Sequence, residues 1–217
     1  MSEQACFLTR ALISHPTIEA RGIWDAYTWH QLIWQAFPGR DGEARDFLTR
    51  LDDKFGAVQV LIVSPREPVR PAWLGSQDEW ATKPIPPSYF QARRYRFQLR
   101  ANVTKKKVAP GPDGRTIRTG KRIALTEPKD ILRWLARKGE QSGFVIPDLD
   151  EVILTTSQQH FRKTPRHGQA MQGKHGTVDF TGTLEVRDPA LFHTAFRQGL
   201  GSAKAFGFGL LVLAPTA

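Results

Sequence analysis

From residue 95 onward the apolar positions fall in an order that few folds satisfy. Tyr95–Val103 alternates like a half-buried strand, and Glu127–Lys138 has helical spacing, with Thr126 as the expected N-cap and Pro128 just inside. Two alternating strands follow at Val152–Thr156 and Thr177–Val186, then a helix at Pro189–Gln198 and a closing strand at Phe208–Leu213. Strand, helix, strand, strand, helix, strand defines a ferredoxin-like α+β unit, an architecture that RNA-recognition domains share with many others. The fold by itself therefore leaves function open.

The first half opens in the same way. Cys6–Ile13 reads as a strand and Trp24–Phe37 as a helix stopped by Pro38-Gly39; a short helix is expected at Glu43–Leu51 and a strand at Ala57–Val63, ending at Ser64-Pro65. Residues 66–87 are proline-rich and give no clear element, and Trp73 and Trp80 within them fit core or contact surface equally. Pro84-Ile85-Pro86-Pro87 forbids both helix and central strand and is the expected linker. Two compact halves follow, residues 1–88 and 89–217, the first compatible with a degenerate copy of the second.

Lys and Arg number 31 against 21 Asp and Glu, a net charge of +10, which favours a polyanionic partner without naming it. Placement says more. Lys105, Lys106, Lys107, Arg115, Arg118, Lys121 and Arg122 share one expected loop, in which Pro110, Gly111, Pro112 and Gly114 oppose regular structure. His160, Arg162, Lys163, Arg166, His167, Lys174 and His175 share another, with no acidic residue among them. Two such loops bracketing one sheet fit phosphates along a duplex groove; solvated hairpin tips are the alternative. Cys6 is the lone cysteine, so neither an internal disulfide nor a multi-cysteine zinc cage is possible. Met1–Cys6 has no secretory pattern, and apolar runs such as Val58–Val63 are too short to span a bilayer. A cytoplasmic protein with no membrane partner is expected.

Gly199, Gly201, Gly207 and Gly209 follow a helix and precede a strand. Phosphate loops of nucleotide-binding folds run the other way, from strand to helix N-terminus. What remains is a loop of little bulk, either a structural turn or a means of bringing Lys204 and backbone amides close to a ligand. Tyr27 and His30 lie one turn apart on the first helix, within its apolar stripe. A core histidine is the commoner outcome for such a position, although a cleft between halves would expose it. The acidic clusters Asp148, Asp150, Glu151 and Asp52, Asp53 have no histidine at ligand spacing and read as solvated turn carboxylates, so no metal or other cofactor is expected.

Three stretches resemble the CasE family, the hairpin-cleaving endoribonuclease subunit of type I-E CRISPR Cascade complexes. They are Tyr27-Thr28-Trp29-His30-Gln31-Leu32-Ile33-Trp34-Gln35-Ala36-Phe37-Pro38-Gly39-Arg40 with Ala44-Arg45-Asp46-Phe47-Leu48 close behind; Phe97–Lys105; and Gln198–Pro215 with its glycines. The resemblance covers nearly the whole chain and implies two tandem ferredoxin-like domains. It implies that His30 is catalytic and that Tyr27 assists. It further implies a CRISPR repeat hairpin as substrate and other Cascade subunits as partners, with the product retained after the cut. Arg40, Lys204 and the basic loops are then the expected RNA contacts. RNA supplies its own nucleophile in such a reaction: the 2′-hydroxyl attacks the adjacent phosphorus, expels the 5′-oxygen and leaves a 2′,3′-cyclic phosphate without need of a metal. The competing reading is a non-catalytic hairpin-binding subunit in which His30 is core.

Overall fold

The structure, a computed structural model, describes residues 5–39, 43–110, 116–163 and 171–216. In the first half, β1 (Phe7–Ser14) leads into α1 (His15–Ala20) and α2 (Ala26–Trp34), followed by β2 (Leu48–Lys54), β3 (Ala57–Ser64) and β4 (Glu79–Pro84). These strands pair antiparallel in the order β2-β3-β1-β4, the ferredoxin-like order with its second helix missing. Prolines 65, 68 and 71 remove N–H donors that a helix through this stretch would need. Trp73 and Leu74 fill the core from an irregular segment instead, and Trp80 packs on the same core from β4. Asp78 fastens the segment, accepting from the backbone N–H of Ser14 at 2.8 Å and of Gly75 at 2.7 Å. Burial works against its charge, yet these bonds and the nearby hydroxyls hold its carboxyl below the ordinary value.

The second half runs β5 (Arg94–Ala101), β6 (Thr104–Pro110), β7 (Thr116–Ala124), α3 (Pro128–Glu140), β8 (Phe144–Val145), β9 (Ile153–Lys163), β10 (Met171–Val186), α4 (Pro189–Gln198) and β11 (Leu211–Pro215). Its sheet has the order β11-β5-β10, with β9 and β8 sharing the outer edge of β10. This is a complete ferredoxin-like unit with a β6–β7 ribbon inserted, so the chain has two tandem ferredoxin-like folds. Alternation along β5 buries Tyr95, Phe97, Leu99 and Ala101. Over them lie Ile131, Trp134 and Leu135 of α3 and Phe192, Ala195 and Phe196 of α4, at the three- and four-residue spacing of apolar helix faces.

Several expectations need correction. Glu43–Leu51 is not helical: the segment is extended and β2 begins at Leu48, because Phe47 packs into the first core and Leu48 into the second. A helix would not send neighbouring side chains to opposite sides. The basic loops are largely ribbons. Pro110 is tolerated as the last residue of β6, where a missing donor breaks no interior ladder bond, and β9 and β10 extend well past their apolar stretches. The α3 N-cap is Glu127, not Thr126. The first long helix spans only Ala26–Trp34, and the closing strand starts at Leu211 because Gly209 holds a positive φ of 88°.

The two halves share a core and a network of ion pairs. Cys6, Leu48 and Val63 of the first half belong to the core of the second. Beside them Arg100 donates from Nε to Asp179 at 2.9 Å, lies 3.3 Å from Asp52 and donates to the Leu51 carbonyl. Arg50, 6% exposed, donates to Asp52 at 2.8 Å and lies 3.7 Å from Asp179. Asp52 is therefore a junction residue and not a solvated turn carboxylate. Removing one partner from such a buried network costs about 3–5 kcal/mol, whereas an exposed pair such as Arg10–Glu79 is worth under about 1 kcal/mol. Urea unfolding should accordingly show a large loss for Asp179→Ala and almost none for Glu79→Ala.

Candidate active site at the sheet junction

α2 starts where Asp25 caps it, accepting from the Thr28 N–H at 2.8 Å and from its hydroxyl at 3.0 Å. This register buries Trp29 and Ile33 and leaves Tyr27, His30 and Trp34 half-buried along the rim. His30 Nε2 accepts from Trp34 Nε1 at 3.1 Å, which places the lone pair on Nε2 and the proton of the neutral ring on Nδ1. Its ring also lies 6.4 Å from that of Phe47, itself stacked on Phe37 at 4.5 Å. Tyr27 Oη accepts from Gln31 Nε2 at 3.2 Å, so its own hydroxyl hydrogen remains available to another acceptor.

Facing this rim is Arg45, on the extended segment before β2. Its Nη1 donates to the Lys204 carbonyl at 2.6 Å, and its guanidinium sits 5.8 Å from the centre of the Phe47 ring. Lys204 occupies a short 3₁₀ turn, Lys204–Phe206, which packs on α2 and β2. The flanking glycines hold backbone conformations and close approaches that other residues would strain. Gly199, Gly201, Gly207 and Gly209 all hold positive φ, from 75° to 88°. A Cβ on Gly199 would lie 2.8 Å from Leu48, and one on Gly209 would lie 2.5 Å from the Leu200 carbonyl. The loop is a tight turn wedged into the junction, and that turn is what delivers Lys204.

Electrostatics follow from this placement. Burial pushes the His30 imidazole below its ordinary value, and the Arg45 charge pushes it further. Burial lowers Lys204 too, helped by Arg45 and Lys138, and burial alone lowers Arg45. The adjacent carboxylate, Asp46, is bound by Arg66 at 2.9 Å. The result is a neutral imidazole beside crowded, half-desolvated cations, a field that an incoming phosphate would relieve.

The expected contacts divide into groups. Lys204 is at the His30 site and Tyr27 is on its helix. Lys105, Lys106 and Lys107 are exposed on β6, and Arg122 is exposed on β7 with its Nε 2.9 Å from Thr104 Oγ1. Arg118 and Lys121 lie on β7, Arg162 and Lys163 end β9, and Lys174 lies on β10. Arg40, Arg115 and Arg166 fall outside the described residues. The bases of the two ribbons adjoin, with Asn102 Nδ2 donating to the Gly176 carbonyl at 2.9 Å, and β9 packs against α2. Arg45 and Trp34 lie within the resembling stretches, but no spacing singles them out: Arg45 meets Lys204 across 159 positions. Asp148 closes a turn, accepting from the Asp150 N–H at 2.8 Å. Among the described residues no helix is long and apolar enough to cross a membrane.

A family model described as CRISPR associated protein matches residues 6–215. The chain is 30% identical over 216 residues to the CRISPR-associated endoribonuclease Cse3 of Thermus thermophilus, covering 94% of this chain and 98% of that one. It is 30% identical over 197 residues to the CRISPR system Cascade subunit CasE of Escherichia coli, covering 88% and 92%. Thermus thermophilus Cse3 bound to an RNA representing a pre-cleavage complex superposes with a TM-score of 0.73 at 29% identity, over 97% of this chain and all of that one.

The geometry sets the direction of one titration. NMR of the His30 ring should give a midpoint below that of a free histidine, and Arg45→Met should move it upward by removing the nearest cation. An unchanged midpoint in Arg45→Met would separate Arg45 from the site.

Proposed function

Since the chain belongs to the CasE family of CRISPR-associated proteins, we propose that it is an endoribonuclease that cuts the repeat hairpin of CRISPR precursor RNA and keeps the product as a Cascade subunit. The observation that carries this reading is a neutral His30 set against Arg45 and Lys204 at the sheet junction. Residues 1–88 then form the domain bearing the catalytic helix, and residues 89–217 the domain bearing the basic ribbons and the glycine-rich turn.

The chemistry needs a proton acceptor for the 2′-hydroxyl, a donor for the departing 5′-oxygen and positive charge beside the phosphorane. His30 is held in its base form, and the substrate hydroxyl takes the place of the Trp34 N–H at Nε2. Tyr27, whose Oη accepts from Gln31, has its hydroxyl hydrogen to donate to the departing oxygen. Arg45 and Lys204 meet the charge that builds on the non-bridging oxygens. No metal takes part in this scheme, and the products are a 2′,3′-cyclic phosphate and a 5′-hydroxyl. Lys105, Lys106, Lys107 and Arg122 lie along the duplex backbone.

A second reading has an observation of its own. His30 Nε2 is already satisfied by Trp34, as a core histidine would be, and the protein would then bind the hairpin without cutting it.

Single-turnover kinetics in EDTA separate the two. His30→Ala should lower the cleavage rate at least about a hundredfold, the scale of general acid/base catalysis, with little change in affinity. Replacing the ribose 5′ of the scissile phosphate by deoxyribose should abolish cleavage and spare binding, whereas a metal-activated water would not need that hydroxyl. Near-normal cutting by the folded variant removes His30 from the mechanism. For the ribbons, neutralising Lys105, Lys106 and Lys107 together should weaken binding and flatten its salt dependence by about 0.9 in log–log slope per lost phosphate contact. An unchanged slope places β6 outside the interface.

A further inference from the structure

A neutral imidazole has two forms, and only one of them leaves a lone pair on Nε2, the nitrogen farther from the backbone. Burial and the Arg45 charge favour the neutral His30 ring, but neither dictates which nitrogen keeps the proton. One contact does. Trp34 stands one helical turn beyond His30, so the two side chains meet on the same face of α2, and the indole N–H donates to Nε2 at 3.1 Å. Among the described residues Trp34 is the ring's one hydrogen-bond partner. The neighbouring polar groups are engaged elsewhere: Arg45 Nη1 by the Lys204 carbonyl, Tyr27 Oη by Gln31.

Packing fixes the direction of that N–H. The indole sits edge-on to Phe47, with ring centres 5.0 Å apart and planes at 77°, and Phe47 is itself stacked on Phe37 within the first core. The indole and imidazole rings also meet edge to face, 6.2 Å apart. An indole N–H donates and cannot accept. It therefore bonds Nε2 only while that nitrogen is bare, and a ring protonated on Nε2 would set two donors against each other. We propose that Trp34 is a positioning residue for the cut: its N–H assigns Nε2 as the base nitrogen of His30 and yields it to the 2′-hydroxyl. The inference rests on the proposed function and adds to it the device that orients the base. It gives the Trp34–His30 bond the opposite meaning from the one it has in a binding-only protein, since the bond readies a base and does not merely satisfy a buried ring.

Long-range ¹H–¹⁵N NMR of the full-length protein reads the tautomer directly, with the His30 signal identified by its loss in His30→Ala. Wild-type His30 should be protonated on Nδ1 and bare on Nε2. Trp34→Phe keeps an aromatic ring against Phe47 and deletes the N–H, so its His30 should show both tautomers. Single-turnover cleavage at saturating hairpin in EDTA should then slow about fivefold, the population shift that one ordinary hydrogen bond sustains. Affinity for an uncleavable hairpin with deoxyribose at the cut should stay within about twofold. A wild-type ring protonated on Nε2 overturns the assignment without any variant. So does a Trp34→Phe ring that keeps the wild-type tautomer, or a loss confined to affinity with the saturated rate unchanged. The spectra need no cleavage, and the two readings fail separately. Normal cutting by His30→Ala removes the proposed function and the inference with it, whereas cutting that depends on His30 but not on Trp34 removes the inference alone.

Discussion

Arg100 and Arg50 tie together two sheets that also meet through apolar side chains such as Leu48 and Val63. Arg100 bonds Asp179 on its own sheet and reaches Asp52 and the Leu51 carbonyl on the neighbouring one, while Arg50 closes the network from the other side. Apolar contact at Leu48 supplies cohesion without direction. The ion network supplies direction, because each guanidinium must meet fixed oxygens or carry a large desolvation cost. Everything functional depends on that registration: α2, the Arg45 segment and the Lys204 turn come from distant parts of the chain and meet only where the sheets do. The glycine-rich turn has the same dependence, since Leu48 lies where a side chain on Gly199 would go.

In the proposed reaction the cations at the junction act on His30 and on substrate together. Burial, and after it the Arg45 charge, disfavours the His30 imidazolium. In that reaction a phosphate bound between Arg45 and Lys204 would cancel part of that charge and raise the proton affinity of His30 as the 2′-hydroxyl arrives. Attraction of the substrate and readiness to accept its proton thus have a common electrostatic origin. The open face of the second sheet offers a different chemistry. Along β5 it presents Arg94, Arg96, Gln98 and Arg100 and no aromatic ring, so it is not the stacking platform that RNA-recognition domains build on equivalent strands.

The second half was legible because its helices and strands each bury one periodic face: Ile131, Trp134 and Leu135 repeat as a helix must, and Tyr95, Phe97 and Leu99 as a strand must. Glu43–Leu51 misled because Phe47 and Leu48 serve two cores, a tertiary demand that local spacing does not encode. The ribbons were hidden for the opposite reason. Their sequences, rich in Lys, Arg and Thr, carry no sustained alternation, and glycines and prolines interrupt them. At the site, His30 and Tyr27 drew attention through resemblance, since their position in an apolar stripe argued for core. Arg45 and Trp34 were not singled out within the resembling stretches, because what distinguishes them is proximity to Lys204 and to one nitrogen of His30.

The chemistry of the cut ends tests the account most directly. Mass spectrometry of RNA cleaved by the wild-type protein should find a 2′,3′-cyclic phosphate on the upstream fragment and a 5′-hydroxyl on the downstream one, as attack by the neighbouring 2′-oxygen requires. A 3′-hydroxyl paired with a 5′-phosphate would mean that water is the nucleophile, and would contradict the role assigned to His30 beside Arg45 and Lys204.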